Sequence, residues 1–296
     1  MPAPRSHRVD PARIAEKYLS ELKTAVSALD HQIHVIGFIA SDDKPSVAYA
    51  NATRQSFNDA GFLYELKQVQ RLELEAELLA ANSDPDVHGI FIYFPVFQNQ
   101  EDDYLRNLVD YTKDIEAGSL YWTRKMSAND RLATSAGSNK KALLPCTPLA
   151  IIKILDDLGE YEPESLKSST VTIFNRSEVI GRPLAVMMSN DGARVRSFDV
   201  NGPLEFIEGS PRETEISRAD ALAQSDIVIT GVPSRQFDPV SKDEVSSGIV
   251  CINFSSVPNF AVDIEDKARI YVPRVGPMTV AMCMRNTIRL FENFHQ

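Results

Sequence analysis

Short apolar runs alternate with longer segments of helical periodicity along most of this chain. Apolar side chains recur at helical spacing over residues 12–29, whereas the run 34–40 is short and suits a buried parallel strand. The other elements predicted in this half are helices over 46–60 and 72–79 and strands over 63–68 and 89–94. This alternation favours a parallel sheet with crossover helices over a β-sandwich or a helical bundle.

A second alternation of the same kind begins at Thr170, after a helix that starts at Pro148. Its predicted elements are strands over 171–174, 193–198, 226–231, 249–254 and 269–272, with helices over 181–189 and 277–291. The polar stretch 117–142 fits neither period and is predicted as a long surface loop. We therefore predict an α/β protein of two domains. The first spans 1–149 and is completed by the C-terminal helix 277–296; the second spans 150–276.

Composition narrows the class of partner. The 296 residues are 43% hydrophobic, which is enough for a sizeable core, and they carry a formal net charge of −10. Lysine and arginine form no cluster longer than Lys140–Lys141, so we expect no nucleic acid and no anionic membrane as partner. Neither a secretory signal nor a membrane span is predicted, because no apolar segment has the length. A small-molecule substrate fits better.

Cysteine and histidine patterns carry little chemistry. The three cysteines, at 146, 251 and 283, have spacings that suit neither a disulfide framework nor a zinc knuckle, which predicts reduced thiols in a cytoplasmic protein. The five histidines form no ligand pattern, so no metal site is predicted. Cys146 has no histidine near it in sequence, and it is therefore interpreted as a buried or pocket-lining thiol and not as a nucleophile.

The turn 175–181, between a predicted strand and a predicted helix, stands where dinucleotide-binding folds hold a pyrophosphate against free N–H groups. Of the usual G-x-G-x-x-G pattern only Gly181 is present. Asn175 takes a place where a left-handed backbone is often needed, which asparagine tolerates. Spacing alone leaves nucleotide binding and an ordinary βα unit equally open.

Asp199 ends the next predicted strand, where an acidic side chain accepts hydrogen bonds from the adenosine ribose and repels a 2′-phosphate. At an effective dielectric near 20 such repulsion costs about a few kcal/mol, which favours NAD over NADP. Two alternatives stay open: a solvated carboxylate at a strand end, or a phosphate received by Arg176, Arg194 or Arg196. Val232 follows the strand that ends in Gly231, and a simple tight turn accounts for this position without any ligand.

Four motifs together resemble the methylenetetrahydrofolate dehydrogenase/cyclohydrolase family over about residues 33–290. They are Lys113–Glu116, Pro145–Pro148, Asn175–Pro183 and the helix-opening run Val272–Met282. The resemblance implies a folate domain, a Rossmann-type NAD domain, a catalytic cleft between them and a homodimer paired through the cofactor domain. The implied activity is oxidation of 5,10-methylenetetrahydrofolate, with polyglutamate preference left open.

The same resemblance implies roles for individual residues. The implied cofactor contacts are Asn175, Arg176, Ser177, Ile180, Asp199, Gly231, Val232, Gly276 and Thr279. The implied substrate contacts are Tyr49, Glu116 and Pro277, with Thr53, Tyr93 and Cys146 lining the catalytic site. The sequence departs from the family at Asn175 and Ile180, and Asp199–Val200 stands where NADP-using relatives have His-Ser. Glu116 lies in a run that also suits a charged helix start.

Two further departures from the family pattern concern the residues that would activate water for hydrolysis. Relatives have Tyr-x-x-x-Lys where this chain has Tyr49 and Thr53, and a glutamine where it has Tyr93. Hydride removal needs no proton abstraction, whereas hydrolysis of the methenyl product needs a titrating group that threonine lacks. We therefore predict an NAD-dependent dehydrogenase with little or no cyclohydrolase activity. The alternatives are a bifunctional NADP-using enzyme and a catalytically silent folate- or nucleotide-binding protein.

Overall fold

The computed structural model describes residues 7–134, 139–162 and 165–296. The described strands are, in chain order, β1 (His7–Arg8), β2 (His34–Ile39), β3 (Leu63–Gln68), β4 (Gly89–Ile92), β5 (Thr170–Phe174), β6 (Arg194–Asp199), β7 (Gly202–Ile207), β8 (Ser210–Glu213), β9 (Ile227–Thr230), β10 (Ile249–Asn253) and β11 (Ala268–Val272). The described α-helices are α1 (Pro11–Ser27), α2 (Lys44–Asp59), α3 (Leu74–Ser83), α4 (Gln100–Leu108), α5 (Leu120–Ser127), α6 (Cys146–Asp157), α7 (Gly181–Asn190), α8 (Arg218–Ala223) and α9 (Gly276–Phe294).

The chain divides into two compact units. The first, called here the larger-sheet unit, contains Thr147–Thr279, Met126–Asn129 and an N-terminal segment that ends at Ile14. The second, the smaller-sheet unit, contains Ala15–Lys125, Asp130–Cys146 and Val280–Gln296. These boundaries differ from the expected ones at the N-terminus. Strand β1 joins the larger-sheet unit because it pairs in parallel with β11.

The smaller-sheet unit is built on a parallel sheet with the described order β3-β2-β4. Strand β2 is central, with Val35 opposite Tyr64 on β3 and Gly89 on β4. Strand β4 is buried along its whole length, as expected of an apolar strand covered on both faces. The core on one face packs side chains of β2 and β4 against α3 and α4, including Phe38, Leu74, Leu78, Ile90 and Leu105.

The larger-sheet unit has the described strand order β1-β11-β10-β9-β5-β6-β7-β8. Pairing is parallel from β1 to β6 and antiparallel in the β6-β7-β8 portion. The strand order reverses at β5, because β6 lies on one side of it and β9 on the other. In open α/β sheets a crevice forms at the carboxyl ends of strands at such a point. The turns that follow β5 and β9 therefore meet at the usual ligand-binding edge.

Residues 120–127 correct the prediction of a long loop over 117–142. They form helix α5, and Trp122 is fully buried with its indole N–H donating to Tyr111 O over 2.8 Å. Tyr111 and Tyr121 also stack, with ring centroids 4.0 Å apart. The polar composition concealed this aromatic packing. Residues 135–138 of the predicted loop lie outside the described residues. No helix of the described chain is long and apolar enough to cross a membrane.

Candidate functional site

Helix α2 positions Tyr49 and Thr53 on one face. Asp43 caps its first turn by accepting a hydrogen bond from Ser46 N, and proline stands in that turn, where its missing N–H is harmless. Thr53 is 1% exposed and its hydroxyl donates to Tyr49 O over 3.0 Å, whereas the Tyr49 side chain is partly exposed. Thr53 thus contributes a buried, neutral hydroxyl at the position where the family resemblance implies an ammonium group.

Tyr93, directly after β4, belongs to a pair of buried phenols. Its hydroxyl lies 2.8 Å from that of Tyr64 on β3, and its ring meets Tyr49 edge-on at 6.0 Å between centroids. Burial raises the pKa of Tyr93 to about 12 and raises that of Tyr64 well above its usual value, so both phenols are neutral at physiological pH. Tyr64 occupies the space over Gly37, where an added Cβ would lie 2.1 Å from the Tyr64 hydroxyl oxygen.

Asp102 holds the loop that follows Tyr93. Its carboxylate, at the start of α4, accepts from Phe97 N at 2.7 Å, Gln98 N at 3.1 Å and Val96 N at 3.3 Å. Three main-chain donors on one buried carboxylate fix the path of this loop after β4. Neither Asp102 nor Tyr64 was predicted as a site residue. Each one bonds its partners outside any known sequence motif.

The run Lys113–Glu116 is not a helix start, which removes one of the two interpretations left open. Helix α5 begins only at Leu120. The Lys113 ammonium donates to three carbonyl oxygens at the end of α3, those of Ala81, Asn82 and Asp84. A buried Asp114 accepts from Ser119 N over 2.8 Å. The first two residues of the run are therefore structural.

Glu116 differs from its neighbours because its side chain makes no hydrogen bond to any described residue. Burial, with a smaller contribution from the charge of Asp114, raises the pKa of Glu116 to about 8. Ala117 follows it in the left-handed region at φ 53°, a conformation that favours glycine. An unpaired carboxyl group with a pKa near neutrality is available to a ligand that offers hydrogen-bond donors.

Cys146 is a buried thiol. Its Sγ donates to Ile115 O at 3.2 Å and accepts from the Asn286 amide at 3.3 Å. Burial raises the pKa of the thiol well above its usual range, which argues against a thiolate nucleophile. Asn286 on α9 also donates to Ile115 O and Leu144 O, and so ties the segments that carry Glu116 and Cys146 to one helix. Sequence analysis did not find Asn286.

In the larger-sheet unit, Asn175 braces the turn after β5. Its Oδ1 accepts from Ser177 N and Ser177 Oγ, and its Nδ2 donates across to Gly231 O at 2.8 Å. The expected left-handed backbone does not occur at Asn175; the side chain is what shapes the turn. Gly181 is sterically required, because an added Cβ would lie 2.2 Å from Asn175 O.

Ser177 caps the start of α7. Its Oγ lies 3.3 Å from Ile180 N and 3.4 Å from Gly181 N, so it accepts from the N–H groups that a phosphate would otherwise meet. Ile180, at the cap position, makes no side-chain cap hydrogen bond. The turn therefore has the position and polarity of a pyrophosphate site, with a serine hydroxyl in the place of the anion.

Asp199 and Arg176 form an ion pair at the carboxyl ends of β5 and β6. The Arg176 guanidinium donates to Asp199 Oδ1 over 2.5 Å and to the carbonyls of Ser197 and Gly202, both at 2.9 Å. Asp199 Oδ2 has no hydrogen-bond partner within the described chain. The other two candidate phosphate receivers are also engaged, since Arg194 bonds Glu205 and Arg196 bonds Gln224.

A cavity of about 440 Å³ opens beside this pair. Its walls are mostly apolar and aromatic: Phe174, Asn175, Arg176, Ser177, Phe198, Asp199, Val200, Val232, Pro233 and Phe237. Gly231 cannot bear a side chain, because an added Cβ would lie 1.8 Å from the Phe254 ring. At the start of α9, an added Cβ on Gly276 would meet nothing within 4 Å, and Thr279 Oγ1 lies 3.4 Å from Thr147 Oγ1.

The structure divides the predicted site residues between the two units. The smaller-sheet unit contains Tyr49, Thr53, Tyr93, Glu116 and Cys146. The larger-sheet unit contains Asn175, Arg176, Ser177, Ile180, Asp199, Gly231, Val232, Gly276, Pro277 and Thr279. Pro277, predicted to contact the substrate, is thus grouped with the predicted cofactor residues. Within the described residues, no cluster of three or more histidine, cysteine or acidic side chains could hold a metal ion.

The switch point at β5, the capped turn and the apolar cavity define a two-domain α/β protein of the dinucleotide-binding class. Within that class, the chain belongs to the tetrahydrofolate dehydrogenase/cyclohydrolase family. The catalytic domain of that family matches residues 9–116, and its NAD(P)-binding domain matches residues 145–295. The predicted family and the predicted two-domain α/β fold are confirmed.

Several relatives are similar over nearly their whole length. The NAD(+) methylenetetrahydrofolate dehydrogenase of Dictyostelium discoideum is 40% identical over 297 residues, covering 97% of this chain and 94% of that protein. The protein of the same name from Schizosaccharomyces pombe is 40% identical over 293 residues, covering 94% and 91%. The structure of the NAD-dependent 5,10-methylenetetrahydrofolate dehydrogenase from Saccharomyces cerevisiae superposes with a TM-score of 0.91 at 34% identity, covering 98% of each chain.

Proposed function

We propose that the protein oxidises 5,10-methylenetetrahydrofolate to 5,10-methenyltetrahydrofolate with NAD, and has little or no cyclohydrolase activity. One observation carries the proposal: a family member combines an acidic Asp199 at its nucleotide cavity with a folate-side cluster of neutral hydroxyl groups. Similarity to relatives named as NAD(+) dehydrogenases supports the same activity.

The residues of the cavity fit NAD. Phe174, Phe198 and Val232 offer apolar surface for an adenine ring, and Asp199 Oδ2 is free to accept from a ribose hydroxyl. A 2′-phosphate would face the same carboxylate, while Arg176 is held by three acceptors and cannot neutralise it. Asn175, Ser177 and Ile180 would hold the pyrophosphate, and Gly276 with Thr279 the nicotinamide end.

NAD supplies the hydride acceptor, and the work left to the chain is binding and orientation. Removal of hydride from the carbon bridging N5 and N10 gives a cation that both nitrogens stabilise, so no side chain need abstract a proton. Tyr49 would pack on the pterin, and the Glu116 carboxylate would accept hydrogen bonds from its N–H groups. Cys146 would line the substrate site of the smaller-sheet unit, and Pro277, at the start of α9, is proposed as a further substrate contact.

Helix α2 and the end of β4 offer no titrating group for the hydrolytic step, and the carboxyl group of the same unit with a pKa of about 8, Glu116, is assigned to the pterin N–H groups. Water activation near neutral pH requires a side chain whose pKa lies near the operating pH. Thr53 does not titrate, and burial keeps Tyr93 protonated by raising its pKa to about 12. The three hydroxyl groups of Thr53, Tyr64 and Tyr93 can hold hydrogen bonds but cannot take a proton from water at pH 7.

We also propose a cytoplasmic homodimer paired through the cofactor domain. The buried, free thiols of Cys146, Cys251 and Cys283 suit a reducing compartment. The cofactor domain would correspond to residues 150–276 with strand β1 added to its sheet, and the folate domain to the rest of 1–149 with the final helix. Sedimentation of the purified protein with and without NAD tests the dimer.

The activity is tested by following methenyltetrahydrofolate formation spectrophotometrically with NAD and, separately, with NADP. We expect rapid formation with NAD and a kcat/KM for NADP about a hundredfold lower. Equal use of NADP, together with enzyme-accelerated decay of added methenyltetrahydrofolate, would support the bifunctional alternative. Binding of folate and NAD without turnover would support the silent binding protein.

A further inference from the structure

We propose that Asn259 is a positioning residue for the adenosine half of NAD, acting through the main chain of Val232. The inference rests on the proposed NAD-dependent function. Asn259 belongs to none of the motifs by which the family is identified in this sequence, and it does not line the cavity. It instead binds the main chain of Val232, which does line the cavity.

One buried amide pairs both main-chain polar groups of a single residue. Val232 N donates to Asn259 Oδ1 over 2.8 Å, and Asn259 Nδ2 donates back to Val232 O over 3.0 Å. Ser255 Oγ adds a second hydrogen bond to Val232 O, also at 3.0 Å. Asn259 is fully buried, so no water competes for these bonds.

The segment that carries Asn259 is itself paired with Val240, which lies in the chain between β9 and β10. Val240 N donates to Asn259 O over 2.9 Å, and Ala261 N donates to Val240 O over the same distance. Phe254, at the other end of this loop, packs its ring against Gly231, where an added Cβ would collide with it. The loop 254–259 therefore fixes the peptide units of Gly231 and Val232 through packing at Gly231 and hydrogen bonds at Val232.

This arrangement decides what the cavity offers to a ligand. Val232 and Pro233 line the cavity together with Phe174 and Phe198. Because Asn259 binds the Val232 N–H and carbonyl, neither polar group is free to turn into the cavity, and the wall presents apolar side chains. An adenine ring buries its faces well against such a surface. Hydride transfer takes place at the nicotinamide, so loss of Asn259 should weaken adenosine binding without slowing chemistry.

The test uses Asn259→Ala in the full chain, with ADP-ribose as a probe that lacks the nicotinamide. We expect the Kd for ADP-ribose and the KM for NAD to rise about tenfold or more, because Val232 N loses its acceptor and Val232 O loses one of its two donors. The kcat at saturating NAD and the KM for methylenetetrahydrofolate should stay within about twofold.

Ser225→Ala is the matched control. Ser225 is also buried in the larger-sheet unit, where its hydroxyl lies 2.7 Å from that of Thr172 and does not line the cavity. The Ser225→Ala variant should have a lower thermal stability and an unchanged Kd for ADP-ribose. If Asn259→Ala does not fold, Ser255→Ala decides, because it removes one of the two donors to Val232 O. A rise of about threefold in Kd is expected there.

The outcomes separate the inference from the function on which it rests. Wild-type protein that neither binds ADP-ribose nor turns over NAD contradicts the proposed function. Wild-type binding that Asn259→Ala, or Ser255→Ala in its place, leaves unchanged overturns the role of Asn259 alone. A fall in kcat with an unaltered KM for NAD would also overturn it, since a wall for adenosine should not govern the chemical step.

Discussion

Arg176 and Asp199 form an ion pair that uses only one carboxylate oxygen. The guanidinium binds Oδ1 at 2.5 Å, while Oδ2 has no hydrogen-bond partner among the described residues; Asp199 itself lines the cavity. The side chain of Arg176 is 8% exposed and is also held by two carbonyl oxygens. The pair therefore leaves one oxygen of Asp199 able to accept a hydrogen bond and keeps the Arg176 guanidinium bound; in the proposed function these properties favour a ribose hydroxyl over a 2′-phosphate.

Asp199→Ser should shift cofactor use toward NADP. The change removes the carboxylate that repels a 2′-phosphate and releases Arg176 to bind one. We expect the ratio of kcat/KM for NADP to that for NAD to rise about a hundredfold. Steady-state kinetics with both cofactors measures it. In Asp199→Ser/Arg176→Gln the gain for NADP should disappear; a gain that persists without Arg176 would show that another cation binds the phosphate.

Thr53→Lys alone should not confer hydrolysis. Thr53 is buried, and the hydroxyl groups of Tyr93 and Tyr64 occupy the neighbouring space, so a lysine ammonium has neither room nor a polarising partner. We expect enzyme-accelerated decay of methenyltetrahydrofolate only in Thr53→Lys/Tyr93→Gln, accompanied by a loss of dehydrogenase activity of about tenfold.

The control for this pair is Thr53→Val, which keeps the volume of the side chain. The variant loses the hydrogen bond from the Thr53 hydroxyl to Tyr49 O and brings no charge into the site, so the dehydrogenase rate should stay within about threefold of wild type. Hydrolysis by the single lysine variant would contradict the role assigned to Tyr93.

Glu116 should give the folate reaction a pH dependence. Burial raises its pKa to about 8, and the pterin N–H groups prefer the ionised carboxylate as acceptor. We expect kcat/KM for methylenetetrahydrofolate to rise with pH through about 8. Glu116→Gln should be slower and lack this inflection. A profile that is equally steep in the variant would assign the titration to another group.

The same group makes the ligand-free protein less stable as pH rises. A carboxyl group whose pKa is raised binds more protons folded than unfolded between about pH 4.5 and 8, so the free energy of unfolding declines across that window. Thermal unfolding of wild type should show the decline. In Glu116→Gln it should be smaller.

His88 should make the stability of the fold depend on pH in the acid range. Burial, with the charges of His295 and His34 as smaller causes, lowers the pKa of His88 to about 4, and its Nδ1 accepts from His34 N over 3.0 Å. The unfolded chain therefore binds a proton more readily between about pH 6.5 and 4, and stability falls as pH falls through that window. His88→Asn, whose Oδ1 can accept the same hydrogen bond, should lose less stability than wild type between pH 7 and 4.5.

Periodicity predicted most of the fold because the central elements obey it. The predicted strand 63–68 and the start of the predicted helix 181–189 match β3 and α7, since buried strands and amphipathic helices impose their spacing directly on the sequence. The β7-β8 hairpin was missed because β8 is exposed at every residue and carries no apolar alternation. Helix α4 was missed for a similar reason, with acidic residues filling its first turn.

The site residues likewise include some that the sequence predicts and some that it does not. Motif spacing identified Thr53, Asp199 and Glu116, which differ from or match a known pattern at a defined position. It could not find Tyr64, Asn286 or Asn259, which act through hydrogen bonds to residues distant in the sequence. Tyr64, for example, bonds a phenol 29 positions away, and such a pairing of neutral polar groups leaves no periodic signal.

The central claim is that the chain stops at the methenyl product, and the stoichiometry of one progress curve tests it most directly. Methylenetetrahydrofolate and NAD are mixed with the wild-type protein, and NADH and methenyltetrahydrofolate are recorded together. The account predicts that the two accumulate one to one, with decay of the methenyl product no faster than in buffer. NADH formation with the methenyl product consumed as it forms would contradict it.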